Sequence, residues 1–432
     1  LPKVPAVIKP IKIPAFRFTE YAPVFQNLPV AKEDVDIHTM EEYDQGYGSI
    51  VYRTALPEIS SKTLLTVNDV HDYARIYLDG QYIGKIDRRY DEKQIMLPPC
   101  RKGAQLDIFV EAMGRINYGV AIKDFKGITR NVTLTVDMDG RPFVCDLKNW
   151  KVFNLGVEYE FFQKMDFKPL ARQVFAEKER VPGCYRSTFK LDRPSDSYLN
   201  FETWGKGLVY VNGIALGRIW EIGPQQTLYV PGCWLKEGEN EVLVFDIIGP
   251  REARSEGLAQ PLLDQLQVQK PLTHRAEGES LDLKGETPVA AGSFAPGNGW
   301  KEVKFAKPAT GRYLCVEALN GLDGTDLACI AELYALDEKG NRLSREPWTV
   351  KYADSEDVAN VNRSADKIFD LQESTYWSTV KGGAYPHAVV IDLGSERTLS
   401  GIQYLPRMEK EVPGGIKDYK IYVKESPFQV NP

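Results

Sequence analysis

The chain has 432 residues, a length typical of about three domains. Hydrophobic residues make up 43% of the sequence and charged residues 26%, a composition that indicates a globular protein with a sizeable core and argues against disorder. The net charge of −6 argues against nucleic-acid binding, and the sequence has no apolar run long enough to span a membrane.

Residues 1–32 are rich in proline. Because proline fixes φ and lacks an N–H donor, this segment is predicted to be an extended strap or linker and not a domain. The apolar residues between the prolines favour docking along another surface over a mobile tail. The first residue is Leu1 and no signal-peptide pattern follows it, which we interpret as a removed signal or a fragment of a longer protein. The prolines are Pro2, Pro5, Pro10, Pro14, Pro23 and Pro29.

From residue 33 onward the pattern is that of β-strands. Short β-branched or alternating runs are separated by Asp-Gly, Asn-Gly and Gly-Lys turn pairs. A parallel α/β barrel would need eight strands alternating with helices, and this requirement is not met. We therefore predict an all-β protein. The clearest runs are 49–56, 62–67, 74–78, 106–111 and 131–136.

An internal repeat organises the first two predicted domains. The sequence YLDGQYIGK at 77–85 aligns with YVNGIALGR at 210–218, an offset of 210 − 77 = 133. The repeat predicts two copies of one antiparallel β-sandwich, over 33–145 and 146–255, each with an Asp-Gly or Asn-Gly hairpin turn. The same offset relates Tyr52-Arg53 to Tyr185-Arg186, Pro98 to Pro231 and Cys100 to Cys233.

Residues 256–284 are polar and are predicted to form a linker, followed by a third β-rich unit at 285–432. Four scattered histidines and six cysteines without CxxC spacing argue against a zinc site. Disulfide bridges remain an open alternative, and the pair closest in sequence is Cys315 and Cys329.

Four segments carry a resemblance to a known family. Residues 205–245 resemble the last β-sandwich of family 35 glycoside hydrolases, the β-galactosidase family, and three other segments resemble the family in the same order. The resemblance implies two accessory sandwiches of the galactose-binding-like, jelly-roll type. In this family the two catalytic glutamates lie on a (β/α)8 barrel that this sequence lacks, so we expect the chain to be inactive alone. The other segments are 40–54, 113–119 and 147–155.

The same resemblance indicates a candidate site in the loop at 114–119. It implies that Arg115, Asn117 and Tyr118 line the rim of a substrate cleft, since such a loop offers hydrogen-bond donors and a ring face to a sugar. The alternative is that Arg115 and Asn117 cap backbone groups while Tyr118 packs. Glu202, in a segment similar to a nucleophile motif, lies inside the repeat and is not expected to be catalytic.

The third unit resembles a discoidin-type module (coagulation factor 5/8 type C), the fold of family 32 carbohydrate-binding modules. Residues 348–423 resemble its first half, whereas 303–319 and 328–334 resemble its closing strands. We infer a circular permutation, with the original termini joined around 336–347. The alternative, two incomplete modules, would leave half-sandwiches without a core.

This second resemblance implies two sets of site residues. The carbohydrate-binding candidates are Trp377, Tyr385, His387 and Arg407, with a core role for Trp377 and a buried ion pair for Arg407 as alternatives. Asp370, Thr375 and Glu332 match positions that hold a structural calcium ion in such modules. The usual Asp-Gly reads Asp370-Leu371 here, and loss of the glycine argues against the turn that the ion requires.

These resemblances predict the accessory, non-catalytic part of a retaining β-galactosidase-like glycoside hydrolase. Its partners would be the catalytic barrel of the same parent chain and galactosides or glycans, and its location would be secreted, periplasmic or at the cell surface. One alternative is a stand-alone carbohydrate-binding or adhesion protein. Another is a set of purely structural sandwiches that bind no glycan.

Overall fold

The computed structural model describes residues 8–119, 122–138, 141–267, 273–409 and 412–431. It confirms the all-β prediction, because strands dominate and helical segments are short. None of the helices in these ranges is long and apolar enough to cross a bilayer. The helical segments are the α-helix Tyr159–Gln163 and the 3-10 turns Val24–Gln26, Arg88–Tyr90, Glu177–Glu179, Gly232–Trp234 and Ala365–Phe369.

The first sandwich consists of a six-stranded and a four-stranded antiparallel sheet around one apolar core. The six-stranded sheet runs, edge to edge, Lys32–Asp34, Trp150–Leu155, Ser49–Ala55, Gln105–Glu111, Tyr73–Leu78 and Gln81–Asp87. The four-stranded sheet runs Arg141–Asp146, Val132–Met138, Thr63–Val67 and Gln94–Leu97, and a short ladder joins Val70–His71 to Gly127–Ile128. Strand Trp150–Leu155, assigned from the sequence to the second sandwich, therefore completes the first.

In the second sandwich the strands that belong to the repeat have the same arrangement as in the first, whereas some outer strands come from other parts of the chain. Its six-stranded sheet runs Lys168–Pro169, Glu20–Pro23, Gly183–Leu191, Gly238–Asp246, Lys206–Val211 and Ile214–Trp220. Its four-stranded sheet runs Ile13–Arg17, Arg254–Leu258, Ser197–Asn200 and Thr227–Val230. Two of these strands come from the proline-rich segment predicted to be a strap, which instead docks by β-pairing within this chain.

The hairpin turns of the two copies have the same backbone conformation. Asp79 and Gly80 have φ of 47° and 79°, and Asn212 and Gly213 have φ of 51° and 80°. Two consecutive residues with positive φ define the type I′ turn, whose twist matches that of the flanking strands. Each pair therefore closes a two-residue hairpin, Leu78 opposite Gln81 in the first copy.

The two six-stranded sheets pack face to face and produce four stacked layers. Side chains alternate between the faces of a strand. In Gln105–Glu111, Leu106, Ile108 and Val110 enter the core of the first sandwich, while Phe109 points to the other face. There Phe109 shares a second buried cluster with Phe245 of the second sandwich. The two copies are thus joined by a shared apolar layer that is distinct from the core of either sandwich.

The third domain has a main apolar core and a smaller buried cluster formed mainly by other residues of the same strands. Its main sheet runs Ala290–Ser293, Asp418–Lys424, Lys301–Ala318, His387–Leu405 and Glu332–Leu336, and Thr349–Ala353 also pairs with His387–Leu405. Two short ladders join Cys329–Ile330 to Trp377–Ser378 and Ser280–Asp282 to Gln429–Asn431. Leu314 and Leu333 share a buried cluster with Val389 and Ile421, so the two incomplete modules of the alternative interpretation are absent from the described residues.

The third domain contacts the first sandwich directly. The Lys62 N–H donates to Glu346 Oε1 at 3.0 Å, and the Asn362 N–H donates to the Tyr90 carbonyl at 3.0 Å. All six cysteines lie in the described parts of the chain and none forms a disulfide, so the candidate pair Cys315 and Cys329 remains as two buried thiols.

Candidate functional site

The 114–119 loop leaves the sheet of the first sandwich at the end of strand Gln105–Glu111. Its backbone is fixed by two buried carboxylates: the Met113 N–H donates to Asp72 Oδ2 at 2.8 Å, and the Ile116 N–H donates to Asp124 Oδ2 at 3.0 Å. Both carboxylates are almost completely buried. The loop therefore begins as a rigid extension of the sandwich.

Those carboxylates belong to a buried charge network. Lys126 Nζ is 2.6 Å from Asp72 Oδ2 and 2.8 Å from Asp124 Oδ2, and it also donates to the Gly114 carbonyl at 3.0 Å. Arg88 Nη1 contacts the other oxygens of the same carboxylates, at 2.6 Å and 2.8 Å. Two cations thus balance two anions, which is the condition for burying charge without a large penalty.

The electrostatics of Asp124 reflect this arrangement. Burial alone would raise the pKa of its carboxyl, but hydrogen bonds from Lys126, the Ile116 N–H and Arg88 hold that pKa well below its usual range. Asp124 is consequently charged at neutral pH, and the loop start stays attached to the sandwich. Sequence reasoning missed this network, because its members are far apart in the chain and only Asp124 and Lys126 lie near the motif.

The three rim candidates have different surroundings. Arg115 donates to the carbonyls of Asp124, at 2.8 Å, and Gly46, at 2.5 Å, and it pairs with Glu41, so it caps backbone groups. Asn117 is exposed, and Tyr118 is 89% exposed. The structure thus assigns a bracing position to Arg115 and leaves the ring of Tyr118 free to contact another surface.

The loop lies among other exposed apolar side chains. Tyr47, Ile122 and Phe125 are each at least half exposed. Tyr47 follows Gly46 and Phe125 follows Asp124, and the carbonyls of Gly46 and Asp124 both accept hydrogen bonds from Arg115. Exposed apolar groups on a rigid base are typical of a surface that meets a partner or ligand.

In the third domain, two of the four carbohydrate-binding candidates are core residues. Trp377 is 1% exposed and its indole N–H donates to the Ser355 carbonyl at 3.0 Å. His387 is 2% exposed, with Nδ1 2.5 Å from Asp354 Oδ2 and Nε2 2.9 Å from the Asp326 carbonyl. Neither ring offers an open face to a sugar, which corrects the expectation for both.

Tyr385 and Arg407 are partly buried and contact protein groups. The Tyr385 hydroxyl donates to the Leu327 carbonyl, and its ring lies 4.6 Å from the ring of His387. Arg407 stacks over the Tyr376 ring at 4.1 Å and pairs with Glu409 at 2.5 Å. Arg407 therefore makes an ion pair, but with a half-exposed partner and not the buried pair of the alternative interpretation. The four candidates do not form one sugar-binding surface.

The three calcium candidates lie close together but already have other partners. The Thr375 hydroxyl donates to Asp370 Oδ2 at 2.7 Å. Arg345 donates to the Glu332 carboxylate, and Lys367 Nζ lies 3.6 Å from Asp370 Oδ2. Calcium takes six to eight oxygen ligands, whereas these carboxylates face a guanidinium and an ammonium. These residues do not fit a calcium ion, and nowhere in the described ranges do three or more His, Cys, Asp or Glu side chains form a metal cluster.

Comparisons with known families identify three segments of the chain. Residues 38–155 match the family described as β-galactosidase, first all-β domain, and residues 182–240 match the β-galactosidase galactose-binding domain. Residues 351–427 match the F5/8 type C domain. Together they confirm the resemblances found in the sequence.

Similar proteins cover a little more than half of the chain. β-Galactosidase-1-like protein 3 of Mus musculus is 33% identical over 260 residues, which are 57% of this chain and 37% of that protein. A β-galactosidase of Xanthomonas manihotis is 32% identical over 230 residues, 53% of this chain and 36% of that protein. The chain thus spans about a third of the length of the curated relatives it matches.

Among solved structures, an α-L-rhamnosidase of Streptomyces avermitilis in complex with L-rhamnose aligns over 94% of this chain and 46% of its own. The identity is 10% and the TM-score is 0.21, too low to indicate a shared overall fold.

Proposed function

We propose, starting from the β-galactosidase and F5/8 type C domains that the chain carries, that it is the accessory, non-catalytic region of a β-galactosidase-like glycoside hydrolase. In this proposal the first sandwich contacts the catalytic barrel of the same parent chain and places the 114–119 loop at the rim of the galactoside cleft. The chemistry belongs to two glutamates on that barrel, as in other retaining glycosidases. The parent protein acts on galactosides outside the cell or at its surface.

One observation supports this proposal more than any other. The 114–119 loop is braced by a network of four charged side chains, three of which are buried, yet Tyr118 is 89% exposed. The loop is fixed to the sandwich, but the Tyr118 ring is exposed to solvent. The ring is therefore positioned to contact a ligand or a neighbouring domain. An aromatic ring face suits the C–H face of a sugar or an apolar patch of a neighbouring domain.

The size of the native gene product tests the accessory role. An antibody against this chain would be used on source cells, with fractionation to locate the product. The proposal expects a product larger by the roughly 250 residues of a (β/α)8 barrel, with β-galactosidase activity and outside the cell interior. A product no larger than this chain would contradict it and would favour a stand-alone carbohydrate-binding protein.

The rim position is tested by Tyr118→Ala in the full-length product. Loss of the ring is expected to raise KM for a β-galactoside several-fold, since a contact to bound substrate is lost. The matched control is Tyr229→Ala, an exposed tyrosine in the outer sheet of the second sandwich. Equal KM values for the two variants would contradict the rim position.

A further inference from the structure

The carboxylates expected to hold calcium in the third domain lie in its interior. Glu332 is 1% exposed and Asp370 is 7% exposed, and the arginine beside them, Arg345, is 3% exposed. A buried carboxylate needs a compensating cation, because removal from water penalises an isolated charge severely. In a calcium-binding domain the ion supplies that charge.

Arg345 reaches this position from a connecting segment. It lies between strands Glu332–Leu336 and Thr349–Ala353, in the stretch where the inferred permutation joins the original termini. Its guanidinium contacts the Glu332 carboxylate, the Leu333 carbonyl at 3.2 Å and the Tyr334 hydroxyl at 2.7 Å. It also stacks over the Tyr334 ring at 3.7 Å. The side chain is thus held by a set of contacts on several sides.

The cluster already holds as many cations as carboxyl groups. Burial, and less strongly the charge of Asp370, raises the pKa of Glu332 to about 8, and burial also raises the pKa of Asp370, so the two carboxyls together carry at most two negative charges. Arg345 and Lys367 lie beside them, and a Ca²⁺ ion added to this set would leave at least two uncompensated positive charges in the interior, close to a guanidinium. Coulomb repulsion at a few ångströms in a low-dielectric interior opposes such binding strongly.

We infer that the Arg345 guanidinium takes the place of the structural calcium ion in this F5/8 type C domain, so that the domain folds and remains stable without calcium. The turn at Leu371 keeps the left-handed conformation, with φ of 67°, although glycine is missing. The turn that carries the Asp370 carboxylate is therefore retained, but the cation beside the carboxylates is the Arg345 guanidinium in place of Ca²⁺. This inference does not depend on the proposed hydrolase role.

Thermal unfolding of the full chain tests the inference, with the transition of the third domain monitored in EDTA and in millimolar CaCl2. The expected result is the same unfolding temperature in both, because the site already holds its cation. Isothermal titration with CaCl2 alone should show no binding to this domain. A rise of several degrees in CaCl2, or a measurable binding isotherm lost in Glu332→Gln, would overturn the inference.

A charge-deletion variant gives the complementary test. Arg345→Ala removes the guanidinium and leaves Glu332, Asp370 and Thr375 facing a vacated space, so it is expected to lower the unfolding temperature in EDTA and to recover much of the loss in millimolar CaCl2. The matched control is the double variant with Glu332→Gln, which should not recover. Arg345→Lys keeps a cation and should be insensitive to CaCl2 even if the alanine variant fails to fold. Strong stabilisation of Arg345→Lys by CaCl2 would contradict the inference.

Discussion

Leu371 shows how a single residue can occupy a glycine position. Its φ of 67° lies in the left-handed region, which costs a residue with a Cβ about 1–2 kcal/mol. Two hydrogen bonds to the Asp370 carboxylate close the turn, from the Gln372 N–H at 3.1 Å and the Thr375 hydroxyl at 2.7 Å. Loss of the glycine therefore does not prevent a left-handed φ at this position, and the two bonds to Asp370 stabilise the turn.

The backbone strain at Leu371 can be measured by comparing two variants. Leu371→Ala and Leu371→Gly both lose the leucine side chain, but only glycine relieves the positive φ. We expect the glycine variant to be more stable than the alanine variant by about 1 kcal/mol, after allowing for the greater chain entropy of glycine. Denaturant dependence of hydrogen exchange in strand Glu332–Leu336 would report this difference. A glycine variant no more stable than the alanine variant would show that the turn is unstrained.

At the scale of elements, the segment before the third domain is anchored by a histidine. The His274 N–H donates to Glu356 Oε2 at 2.5 Å, its Nδ1 lies 2.8 Å from Glu356 Oε1, and its Nε2 lies 3.3 Å from Asp366 Oδ2. Burial alone would lower the pKa of His274, but the carboxylates of Asp366 and Glu356 raise it to about 10. The segment is held to the domain by an imidazolium at neutral pH.

A pH dependence follows from the raised pKa. A pKa of about 10 in the folded state, above the ordinary 6.5, makes the contribution of His274 complete below pH 6.5 and progressively lost as the pH rises toward 10. The unfolding temperature of the third domain should therefore fall over this window in the wild type. His274→Gln should lower it at pH below 6.5 and show less of this fall. If the unfolding temperatures of the two proteins changed with pH in parallel, the charge of the His274 imidazolium would not be what holds this segment to the third domain.

A secondary-structure element can be predicted from the sequence when the residues that produce it are close together in the chain. The type I′ hairpins were predictable because Asp79-Gly80 and Asn212-Gly213 bring their own turn chemistry. Strand Ile13–Arg17 was not, because it contains Pro14 and becomes a strand only by pairing with Arg254–Leu258, at the edge of a sheet where proline is tolerated. The pairing of Lys126 with Asp72 was missed for the same reason, since 54 positions separate the two residues in the chain. The contacts of Arg345 with Glu332 and Tyr334 were missed because they join a connecting segment to a strand.

At the scale of the molecule, the apolar layer between the two sandwiches is reinforced by buried charge. Glu111 of the first sandwich pairs with Lys206 of the second, and Arg218 Nη1 lies 3.3 Å from Glu111 Oε1. Lys206 Nζ also lies 4.2 Å from the centroid of the Trp220 ring. Both members of the Glu111–Lys206 pair are buried, so separation of the sandwiches would expose apolar surface and break this pair. We expect them to unfold together.

Phe109→Ala tests this coupling. Phe109 is fully buried in the shared layer, and loss of such a side chain costs about 3–5 kcal/mol. Although the substitution is in the first sandwich, it should also lower the hydrogen-exchange protection of strand Gly183–Leu191 in the second sandwich, relative to the wild type. Leu333→Ala, in the core of the third domain, serves as the control and should leave that strand unaffected. Unchanged protection in the Phe109 variant would mean that the two sandwiches unfold independently.

The pairing of the proline-rich segment with the second sandwich has a consequence for the nascent chain. Pro23 pairs with Gly183, and the 160 residues from 24 to 183 (183 − 23 = 160) take about 8–32 s to synthesise at the usual 5–20 residues per second. During that interval the first sandwich, which is nearly contiguous from Lys32 to Leu155, can fold on the ribosome. Phe18, which is fully buried among residues of the second sandwich in the finished protein, meanwhile has no completed core to enter and is accessible to chaperones and to neighbouring nascent chains.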